Sequence, residues 1–263
     1  MSRVNILVIF TIFAFFYSPN IVANNAFYIS ISDQVARKQD LEIISNNAAN
    51  SSTVGYEEDS SIYHNYDVME SRRKNNSFVH LRKTYKSGEL GPIKQTGNPL
   101  DLVIQGGNQY FKVQTPKGPR YTLSGSMFRN INGLLVNSDG FHFLTANNAP
   151  IEVPADAAEL SVLDSGIIMA DGNQVDIIGV FKIEDKNALI KEGSSLYKSS
   201  VNGTPLDIGE FKIKSGALRG SNVNSGQMMS QTIEAQRSFS TITNLISELN
   251  SLEKNSVSRI LGK

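Results

Sequence analysis

The sequence contains no cysteine and no tryptophan. The absence of cysteine excludes a disulfide framework, thiolate zinc sites, iron–sulfur clusters and a cysteine nucleophile. Histidine is scarce as well, because His64, His80 and His142 lie far apart in the chain and have no metal-ligand spacing. We therefore interpret the three histidines as structural residues and expect neither a metal nor any other cofactor.

Neither sign of charge is in excess, because 25 Lys and Arg residues balance 25 Asp and Glu residues and the formal net charge is zero. Nucleic-acid-binding proteins normally carry a basic excess or a basic stripe. The densest basic cluster, Arg72-Arg73-Lys74, lies in an otherwise polar stretch, which is typical of a solvated surface. We expect no nucleic-acid partner.

Long hydrophobic runs are absent except near the N-terminus. Arg3 precedes an apolar run over residues 6–16, and Pro19 and the small residue Ala23 follow it. A basic start, a short apolar run and a small residue after a helix breaker form a secretory signal pattern, whereas a core helix would be apolar on every side. Because the run is too short to span a bilayer comfortably, we predict a signal-like leader over residues 1–23, cleavage after Ala23, and no stable membrane span once the leader is removed.

Helical spacing of apolar residues begins directly after the leader. One face of the predicted helix contains, in chain order, Tyr28, Ile31, Val35, Leu41, Ile44 and Ala48. Turn-forming residues follow this stripe, and Gly55 ends the segment. We predict a helix from about Ala26 to Ala49 within an N-terminal helical segment, residues 24–55.

Residues 56–95 are polar and weakly periodic. Val79, Leu81 and Tyr85 indicate an extended strand, but serine, asparagine and charged residues dominate. A segment of this composition has too few apolar residues to bury a core of its own. We predict an extended arm or linker that needs partners for order.

Between residues 96 and 218 the pattern changes to short apolar strands separated by tight turns. The predicted strands are Leu100–Ile104, Tyr110–Val113, Leu134–Val136, Phe141–Leu144, Ile167–Met169 and Val175–Phe181. Asp139-Gly140, between two apolar runs, is a strong hairpin signal because glycine tolerates the positive φ that such turns require. The regular spacing of the turns predicts a central antiparallel β domain.

The C-terminal segment, residues 219–263, is helical again. Its apolar residues recur every seven positions at Met228, Ala235, Ile242 and Leu249, and Thr232, Phe239 and Ile246 lie four residues after the first three. These positions form a heptad seam, which Leu245 and Leu252 widen. Because Ser221–Asn224 supplies capping residues, we predict a helix from about Ser225 to Leu252.

The predicted fold class is therefore mainly β with terminal α-helices. Each helix has a seam that it cannot bury alone, and the sequence contains no third long helix to cover it. We predict that the N- and C-terminal helices pair as a coiled coil and that this pair packs against neighbouring copies. A repeating heterologous contact of this kind need not close, so it generates tubes or filaments.

Candidate catalytic groups are limited to scattered carboxylates. Asp156 with Glu159, and Asp164 with Asp171, have the residue types for general acid–base chemistry. Each pair lies in or beside a predicted turn, where aspartate is a common turn former. The sequence also lacks a Gly-x-Ser-x-Gly elbow, and the glycines at 106–107 lack the Lys-Ser or Lys-Thr of a phosphate-binding loop. We expect no enzymatic activity and no small-molecule substrate.

Four blocks of the chain, taken in order, resemble the flagellar rod and hook protein family. Residues 41–56 read LEIISNNAANSSTVGY and are similar to the family pattern LDxIxNNxANxxTxGF. Residues 96–113, TGNPLDLVIQGGNQYFKV, are similar to TGxPLDLAIxGxGFFxV, and residues 121–140 match the next block. Residues 216–239, GALRGSNVNSGQMMSQTIEAQRSF, are similar to GxLExSNVNxxxxMxxMIExQRxF. The resemblance that these ordered blocks carry extends along nearly all of residues 27–250.

The resemblance implies a structural subunit of the bacterial flagellar basal-body rod, in the periplasm, whose partners are other copies of itself and other rod proteins. In this family the paired terminal helices line the tube and the β domain forms the outer wall, so the functional residues are interface residues. Carried over to this chain, the expected interface residues are Ile31, Val35, Leu41, Ile44, Asn46, Asn47, Asn50, Met228, Ile233, Ala235, Phe239, Ile242, Ile246 and Leu249.

Within the family, the length and the single modest β domain look most like the proximal-rod members, with the distal-rod members as the near competitor. Two features depart from the family pattern. The first is the predicted leader over residues 1–23, because members of this type normally leave through the flagellar type III exporter without a cleaved leader. The second is Arg219-Gly220, which stands where the family often carries Glu with a small residue.

A second class of function has some support from the leader and the β-rich middle, namely a Sec-exported periplasmic protein that binds a glycan or another ligand. It requires a concave pocket with convergent polar or aromatic groups. No such cluster stands out in the sequence. A hydrolytic function is the third hypothesis, and only the scattered carboxylates favour it.

Overall fold

The computed structural model describes residues 20–68, 76–86, 88–193 and 195–260. Two long helices flank the strands: α1 (Asn20–Ala49) and α2 (Ser225–Ile260). Both are longer than predicted. Helix α1 begins before Ala26, and α2 continues past Leu252 because residues 253–260 contain neither glycine nor proline. The leader predicted for residues 1–23 lies outside the described residues as far as residue 19, and residues 20–23 belong to α1.

Side-chain hydrogen bonds mark one end of each helix. At the start of α2, the side-chain oxygen of Asn224 accepts hydrogen bonds from the main-chain N–H groups of Gly226 at 3.1 Å and Gln227 at 3.2 Å. At the end of α1, the Asn50 amide donates to the main-chain oxygen of Asn46 at 2.9 Å. The contacts of Asn224 satisfy main-chain N–H groups that the start of a helix leaves without an intrahelical partner, whereas the Asn46 oxygen also accepts the main-chain N–H of Asn50 at 3.1 Å. The predicted capping of α2 is confirmed.

The strands of the described residues are short and follow one another closely. In chain order they are β1 (Asp59–Val68), β2 (Asn76–Lys86), β3 (Ile93–Gln95), β4 (Asp101–Ile104), β5 (Gln109–Thr115), β6 (Gly118–Thr122), β7 (Gly125–Ser126), β8 (Phe128–Arg129), β9 (Leu135–Val136), β10 (His142–Phe143), β11 (Leu160–Val162), β12 (Ile167–Ala170), β13 (Asn173–Ile177), β14 (Val180–Lys182), β15 (Leu189–Glu192), β16 (Leu196–Ser199), β17 (Thr204–Pro205), β18 (Ile213–Ser215) and β19 (Ala217–Arg219). A 3₁₀ turn, Lys186–Ala188, precedes β15.

The largest sheet has nine strands, in the order β15-β16-β6-β5-β10-β9-β8, with β14 beside β5 and β17 beside β14. Smaller sheets combine β11-β12-β13, β18-β4-β7 and β19-β3. Every pairing in these four sheets is antiparallel. The predicted antiparallel β region and the mainly β class with two helices are confirmed.

Residues 56–95, predicted as an extended arm, contain regular structure. Strands β1 and β2 pair with each other in a separate two-stranded sheet. Strand β3 pairs with β19, with Ala217 opposite Gln95 and Arg219 opposite Ile93. The residues that indicated an extended strand, Val79, Leu81 and Tyr85, lie in β2, whereas β1 and β3 were not predicted, because strand pairing satisfies main-chain groups whatever the side chains are.

Strand β5 is the centre of the β packing because it is covered on both faces. Phe111 and Val113 point into the main hydrophobic core, where Phe111 meets Phe143 edge to face. Tyr110, on the opposite face, belongs to a second cluster with Tyr197. Alternate residues of a strand point to opposite faces, so one short apolar segment joins two cores.

The predicted strand Val175–Phe181 is wrong as a single element. Strand β13 ends at Ile177, and β14 begins at Val180 in a different sheet. The chain changes sheets at Gly179, where a β-carbon would lie 2.5 Å from the main-chain carbon of Thr145. Only glycine allows two main chains to approach so closely.

The predicted hairpin at Asp139-Gly140 is confirmed. Strands β9 and β10 pair antiparallel with His142 opposite Val136. Gly140 has a φ of 81° and donates a main-chain hydrogen bond to Asn137 at 3.0 Å. The positive φ explains why glycine occupies this position of the turn.

The chain divides into two compact units. Among the described residues, the first, called here the helical unit, contains 20–44, 61–68, 76–84 and 230–260. The second, called here the β unit, contains 45–60 and the described residues of 85–229. The last residues of α1 thus group with the β unit, which also contains both hydrophobic clusters.

Candidate assembly surfaces

One face of α2 is shielded from solvent along the predicted heptad seam. Met228 is 2% exposed and Ala235 is 9% exposed. The other seam positions, which are half-buried, are Thr232, Phe239, Ile242, Ile246 and Leu249. Residues spaced alternately by four and three positions lie on one side of a helix. The seam read from the sequence is therefore a covered face of α2.

The predicted stripe on α1 is only partly covered. Ile31, Leu41 and Ile44 are half-buried, whereas Val35 is 51% exposed. The most buried residue of this stretch is its neighbour Ala36, which is 3% exposed. Sequence analysis missed Ala36 because a single methyl group adds little to a hydrophobic pattern.

A side-chain hydrogen bond joins the two helices within the helical unit. The amide nitrogen of Gln34 on α1 donates to the hydroxyl oxygen of Thr243 on α2 at 3.0 Å. The Thr243 hydroxyl in turn donates to the main-chain oxygen of Phe239 at 2.8 Å. The helices are therefore in contact at this level, next to the seam residue Ile242.

Both helices also expose large apolar side chains. On α2, Met229 is 69%, Leu252 61%, Ile233 46% and Leu245 45% exposed. On α1, Tyr28 is 59% exposed. Contiguous apolar surface on a soluble protein commonly marks a site of interaction. These exposed side chains can contact another protein surface, whereas the buried core residues cannot.

The asparagines predicted as interface residues differ in their surroundings. Asn47 is 2% exposed, and its side chain pairs with both main-chain groups of Asp59. Its oxygen also accepts the Tyr56 hydroxyl at 2.9 Å. Asn46 is exposed and Asn50 is half-buried, and the Asn50 amide bonds to the Asn46 side-chain oxygen at 2.9 Å. Asn47 therefore acts inside the β unit, where it holds the turn after α1.

A lysine fixes the segment that follows this turn. The Lys191 ammonium, on β15, donates to the main-chain oxygen of Glu57 at 2.8 Å and to the Asp59 carboxylate at 2.7 Å. It also lies 3.8 Å from the centre of the Tyr56 ring, close enough for a cation–π contact. Burial, together with the carboxylates of Asp59 and Glu58, raises the pKa of Tyr56 well above its usual range. Segment 56–59 is thereby held against β15.

Arg219, which departs from the family pattern, has an internal role. It is 5% exposed and donates from its guanidinium to the main-chain oxygens of Gly91, at 3.3 Å, and Ile104. Its own main-chain oxygen accepts the Gly55 N–H at 2.8 Å. Burial lowers the pKa of Arg219, and the Glu57 carboxylate partly opposes this effect. Sequence analysis noted the departure but did not identify this cross-link between segments.

Of the carboxylates considered for catalysis, that of Asp171 has a structural role. The Asp171 carboxylate accepts main-chain hydrogen bonds from Glu159 at 2.9 Å and from Ala158 at 3.1 Å. The main-chain oxygen of Asp164 accepts the Ile213 N–H at 2.9 Å. In the described ranges, no group of three or more His, Asp or Glu side chains is placed to hold a metal ion. Nor does any helix in the part of the chain that the structure describes have the length and apolarity needed to cross a membrane.

Two protein-family descriptions match the chain. The one described as "Flagellar hook protein FlgE/F/G D1 domain" matches residues 103–170, which extend from β4 to β12. The one described as "Flagellar basal body rod FlgEFG protein C-terminal" matches residues 214–259, which include β19 and nearly all of α2. The matched regions thus include both the β strands and the seamed helix.

Whole-chain relatives agree with these matches. The chain is 28% identical over 244 residues to the flagellar basal-body rod protein FlgF of Caulobacter vibrioides, covering 91% of this chain and 99% of the relative. It is 30% identical over 220 residues to the FlgF protein of Rhizobium meliloti, covering 83% and 90%. It is 31% identical over 247 residues to the flagellar basal-body rod protein FlgG of Bacillus subtilis, covering 83% and 92%. The chain therefore belongs to the flagellar basal-body rod protein family and is a structural subunit of the rod in the flagellar basal body.

Proposed function

We propose that the chain polymerises through its two terminal helices, paired as a coiled coil, and so builds the periplasm-spanning drive shaft of the flagellum. The observation that carries this proposal is the pattern on α2. A covered heptad seam runs along the helix, and exposed apolar residues such as Leu245 and Leu252 flank it. One face thus serves the pairing of α1 with α2, and the flanking side chains serve contacts between copies.

Two features of the helical unit support the pairing. The Gln34–Thr243 hydrogen bond joins the helices at one level. Ala36 on α1 and Ala235 on α2 are both buried and small, which permits a close approach of helix main chains. Paired helices with interlocking side chains fit such spacing.

The exposed apolar residues supply the driving force for contacts between copies. Fully burying a Leu, Ile or Met side chain stabilises an assembly by about 1.5–3 kcal/mol. Ile233 and Leu245 are already about half covered, so each has roughly 1 kcal/mol left to contribute. Several such contacts in each copy, repeated along a filament, favour polymerisation.

The proposed contact residues are those predicted from the sequence, except that Asn47 is proposed to act indirectly. The helix positions from Ile31 to Ile44 and from Met228 to Leu249 remain the proposed assembly residues. Asn46 and Asn50 remain in the set because they lie at the end of α1 with accessible surface. Asn47 supports assembly indirectly, since its side chain holds the turn after α1.

The test replaces two exposed apolar residues of α2 that lie seven positions apart. Leu245→Asp with Leu252→Asp introduces charge beside the seam without removing a buried side chain. We expect loss of swimming motility and loss of rods from purified basal bodies when this variant replaces the wild-type chain. The circular dichroism of the purified variant should stay as in the wild type.

Asn244→Asp with Ser251→Asp is the matched control, because these exposed residues have the same spacing and lie on the same helix. This control should retain motility and rods. Motile cells with normal rods in the Leu245/Leu252 variant would contradict polymerisation through α2. A loss of the helical circular dichroism signal in the Leu245/Leu252 variant, together with a loss of motility in the control, would contradict the division of α2 into a covered pairing face and an exposed face for contacts between copies.

We also propose a proximal position in the rod, in line with the sequence resemblance and with the coverage of 99% of the Caulobacter vibrioides FlgF protein. A Sec-exported ligand-binding function is not favoured, because the relatives are rod proteins. Electron microscopy of basal bodies from a deletion strain tests the position. A proximal subunit predicts that assembly stops before the distal rod, whereas a complete proximal rod would contradict it.

A further inference from the structure

A cavity of about 320 Å³ lies in the β unit beside the central strand β5. Its lining combines polar and apolar groups: Lys112, Gln114, Asn148, Phe181, Asn202 and Pro205. All of these residues lie in the β unit, at a distance in sequence from both terminal helices. The helix residues proposed for polymerisation are therefore not among those that line the cavity.

Lys112 is the unusual member of this lining. It is 7% exposed, although lysine is rarely buried unless an acidic partner accompanies it. Strand alternation places it on the same face of β5 as Tyr110, away from the core residues Phe111 and Val113. None of the ion pairs among the described residues involves Lys112. A lysine within a strand is normally solvated, so the burial of Lys112 is a property of the tertiary structure.

The groups around the Lys112 ammonium are all neutral. Its nitrogen donates to the side-chain oxygen of Asn148 at 2.6 Å. It lies 4.7 Å from the centre of the Phe181 ring and 5.5 Å from that of Tyr121. An ammonium has three donors, and Asn148 takes one of them. Burial without a neighbouring carboxylate lowers the pKa of Lys112.

The loop that presents Asn148 is held in place. Asn148 has a φ of 63°, a left-handed conformation that asparagine adopts more readily than most residues. Its main-chain N–H donates to the Thr145 oxygen at 3.0 Å, and the Thr145 hydroxyl accepts the Ala149 N–H at 3.2 Å. The loop therefore fixes an amide oxygen next to the ammonium and leaves the adjoining space open.

From this geometry we propose that the cavity binds a single carboxylate group, with Lys112 as its ionic partner. A buried cation is normally compensated by a charge of opposite sign. The amides of Gln114 and Asn202 can donate to the second carboxylate oxygen or to its neighbours. A phosphate fits less well, because phosphate sites typically use a guanidinium fork, a helix N-terminus or a nest of main-chain N–H groups. The carboxylate comes from an Asp or Glu side chain of another rod subunit or from a small organic acid.

The first experiment uses the full chain labelled with ¹³C at the lysine ε-carbon, titrated with sodium acetate. Sodium chloride at equal ionic strength is the reference. We expect the Lys112 resonance, assigned by its loss in Lys112→Met, to shift saturably with acetate and to show a raised apparent pKa. We also expect acetate to raise the melting temperature of the wild type and of Lys117→Met, which removes an exposed lysine from the turn before β6, but not of Lys112→Met.

The second experiment separates the two sources of the carboxylate. Purified basal bodies are treated with a water-soluble carbodiimide, which joins an amine to a carboxylate in direct contact. A Lys112 cross-link to an Asp or Glu of another chain supports a subunit side chain as the occupant, and saturable acetate binding without that cross-link supports a small organic acid. If Lys112→Met does not fold, Lys112→Arg, which keeps the positive charge, supplies the assignment of the Lys112 resonance, and the wild-type titration then decides. Equal responses of Lys112 to acetate and chloride, with no Lys112 cross-link, would overturn the proposal.

Discussion

The side chain of Asn47 pairs with the main chain of Asp59 through two hydrogen bonds. The amide nitrogen donates to the Asp59 oxygen at 2.8 Å, and the Asp59 N–H donates to the amide oxygen at 3.1 Å. The same amide oxygen accepts the Tyr56 hydroxyl. The end of α1 is thereby tied to the start of β1, so Asn47, in the asparagine-rich motif at the end of the helix, has a defined structural role.

Replacing Asn47 by Ala should lower the free energy of unfolding of the β unit by about 2–3 kcal/mol, because buried main-chain groups of Asp59 lose their partner. Urea denaturation followed by far-UV circular dichroism measures the change. Asn132→Ala, at an exposed turn position, should change the free energy by less than about 0.5 kcal/mol. Equal midpoints for the two variants would refute the role assigned to Asn47.

Lys191→Met should destabilise the β unit by about 2 kcal/mol. The substitution removes a charge-assisted hydrogen bond to Asp59, a hydrogen bond to the Glu57 main chain and the contact with the Tyr56 ring. Lys198→Met, at an exposed position of β16, is the matched control and should be nearly neutral. The comparison is made by urea denaturation at low salt, and indistinguishable variants would argue against the lysine contact.

Gly55→Ala should be more harmful than Gly140→Ala, although both glycines have a positive φ, of 71° and 81°. A β-carbon at Gly55 would lie 2.6 Å from the main-chain nitrogen of Ser124, whereas one at Gly140 meets nothing within 4 Å. Conformational strain alone costs about 1–2 kcal/mol at each site. We expect Gly55→Ala to cost at least about 2 kcal/mol more in unfolding free energy, since main-chain atoms must move.

Alkaline pH should destabilise the β unit. Burial raises the pKa of Tyr56, Tyr110 and Tyr197, so the folded chain keeps protons that the unfolded chain releases above the usual tyrosine pKa of about 10. The associated stability is complete below that pH and is lost as the pH rises towards the folded-state values. Urea midpoints should fall progressively above pH 10, and absorbance at 295 nm should show late ionisation of these tyrosines that unfolding abolishes. Constant midpoints up to pH 11.5 would contradict this expectation.

The predicted leader is tested by N-terminal sequencing of the protein from purified basal bodies. Cleavage after Ala23 predicts a mature chain that begins at Asn24. The same measurement establishes incorporation into the rod, because only assembled chains are sequenced. A chain that retains Met1 or Ser2 at its start would show that the apolar run over residues 6–16 is not a cleaved signal.

Periodic patterns predicted the two helices and several of the strands, namely β4, β5, β9, β10, β12, β13 and β14. The heptad of α2 could be predicted because a covered helix face requires apolar residues at a regular spacing. The β9–β10 hairpin could be predicted because its turn requires glycine. The pairing of β1 with β2 was not predicted, although Val79, Leu81 and Tyr85 indicated the strand that is β2, because polar residues dominate this part of the sequence. The break at Gly179 was missed because the close approach to Thr145 joins residues far apart in the chain.

The interface prediction shows the same division. The seam from Met228 to Leu249 could be listed from spacing alone, and the structure describes it as a covered face. The burial of Asn47 could not be predicted from the sequence, because its contact with Asp59 depends on the path that the chain takes after α1. The burial of Lys112 and Arg219 likewise could not be predicted from the sequence.

The sequence by itself determined the two terminal helices, the antiparallel β region and the family, because local periodicity and turn chemistry depend on near neighbours. Only the tertiary structure decided which polar residues are buried and what they contact. Lys191 meets Tyr56, Arg219 meets Ile104, and Lys112 lies beside Asn148 in a cavity without an acidic partner. Burial and pairing of charges depend on segments that are distant along the chain, and one-dimensional patterns do not contain that information.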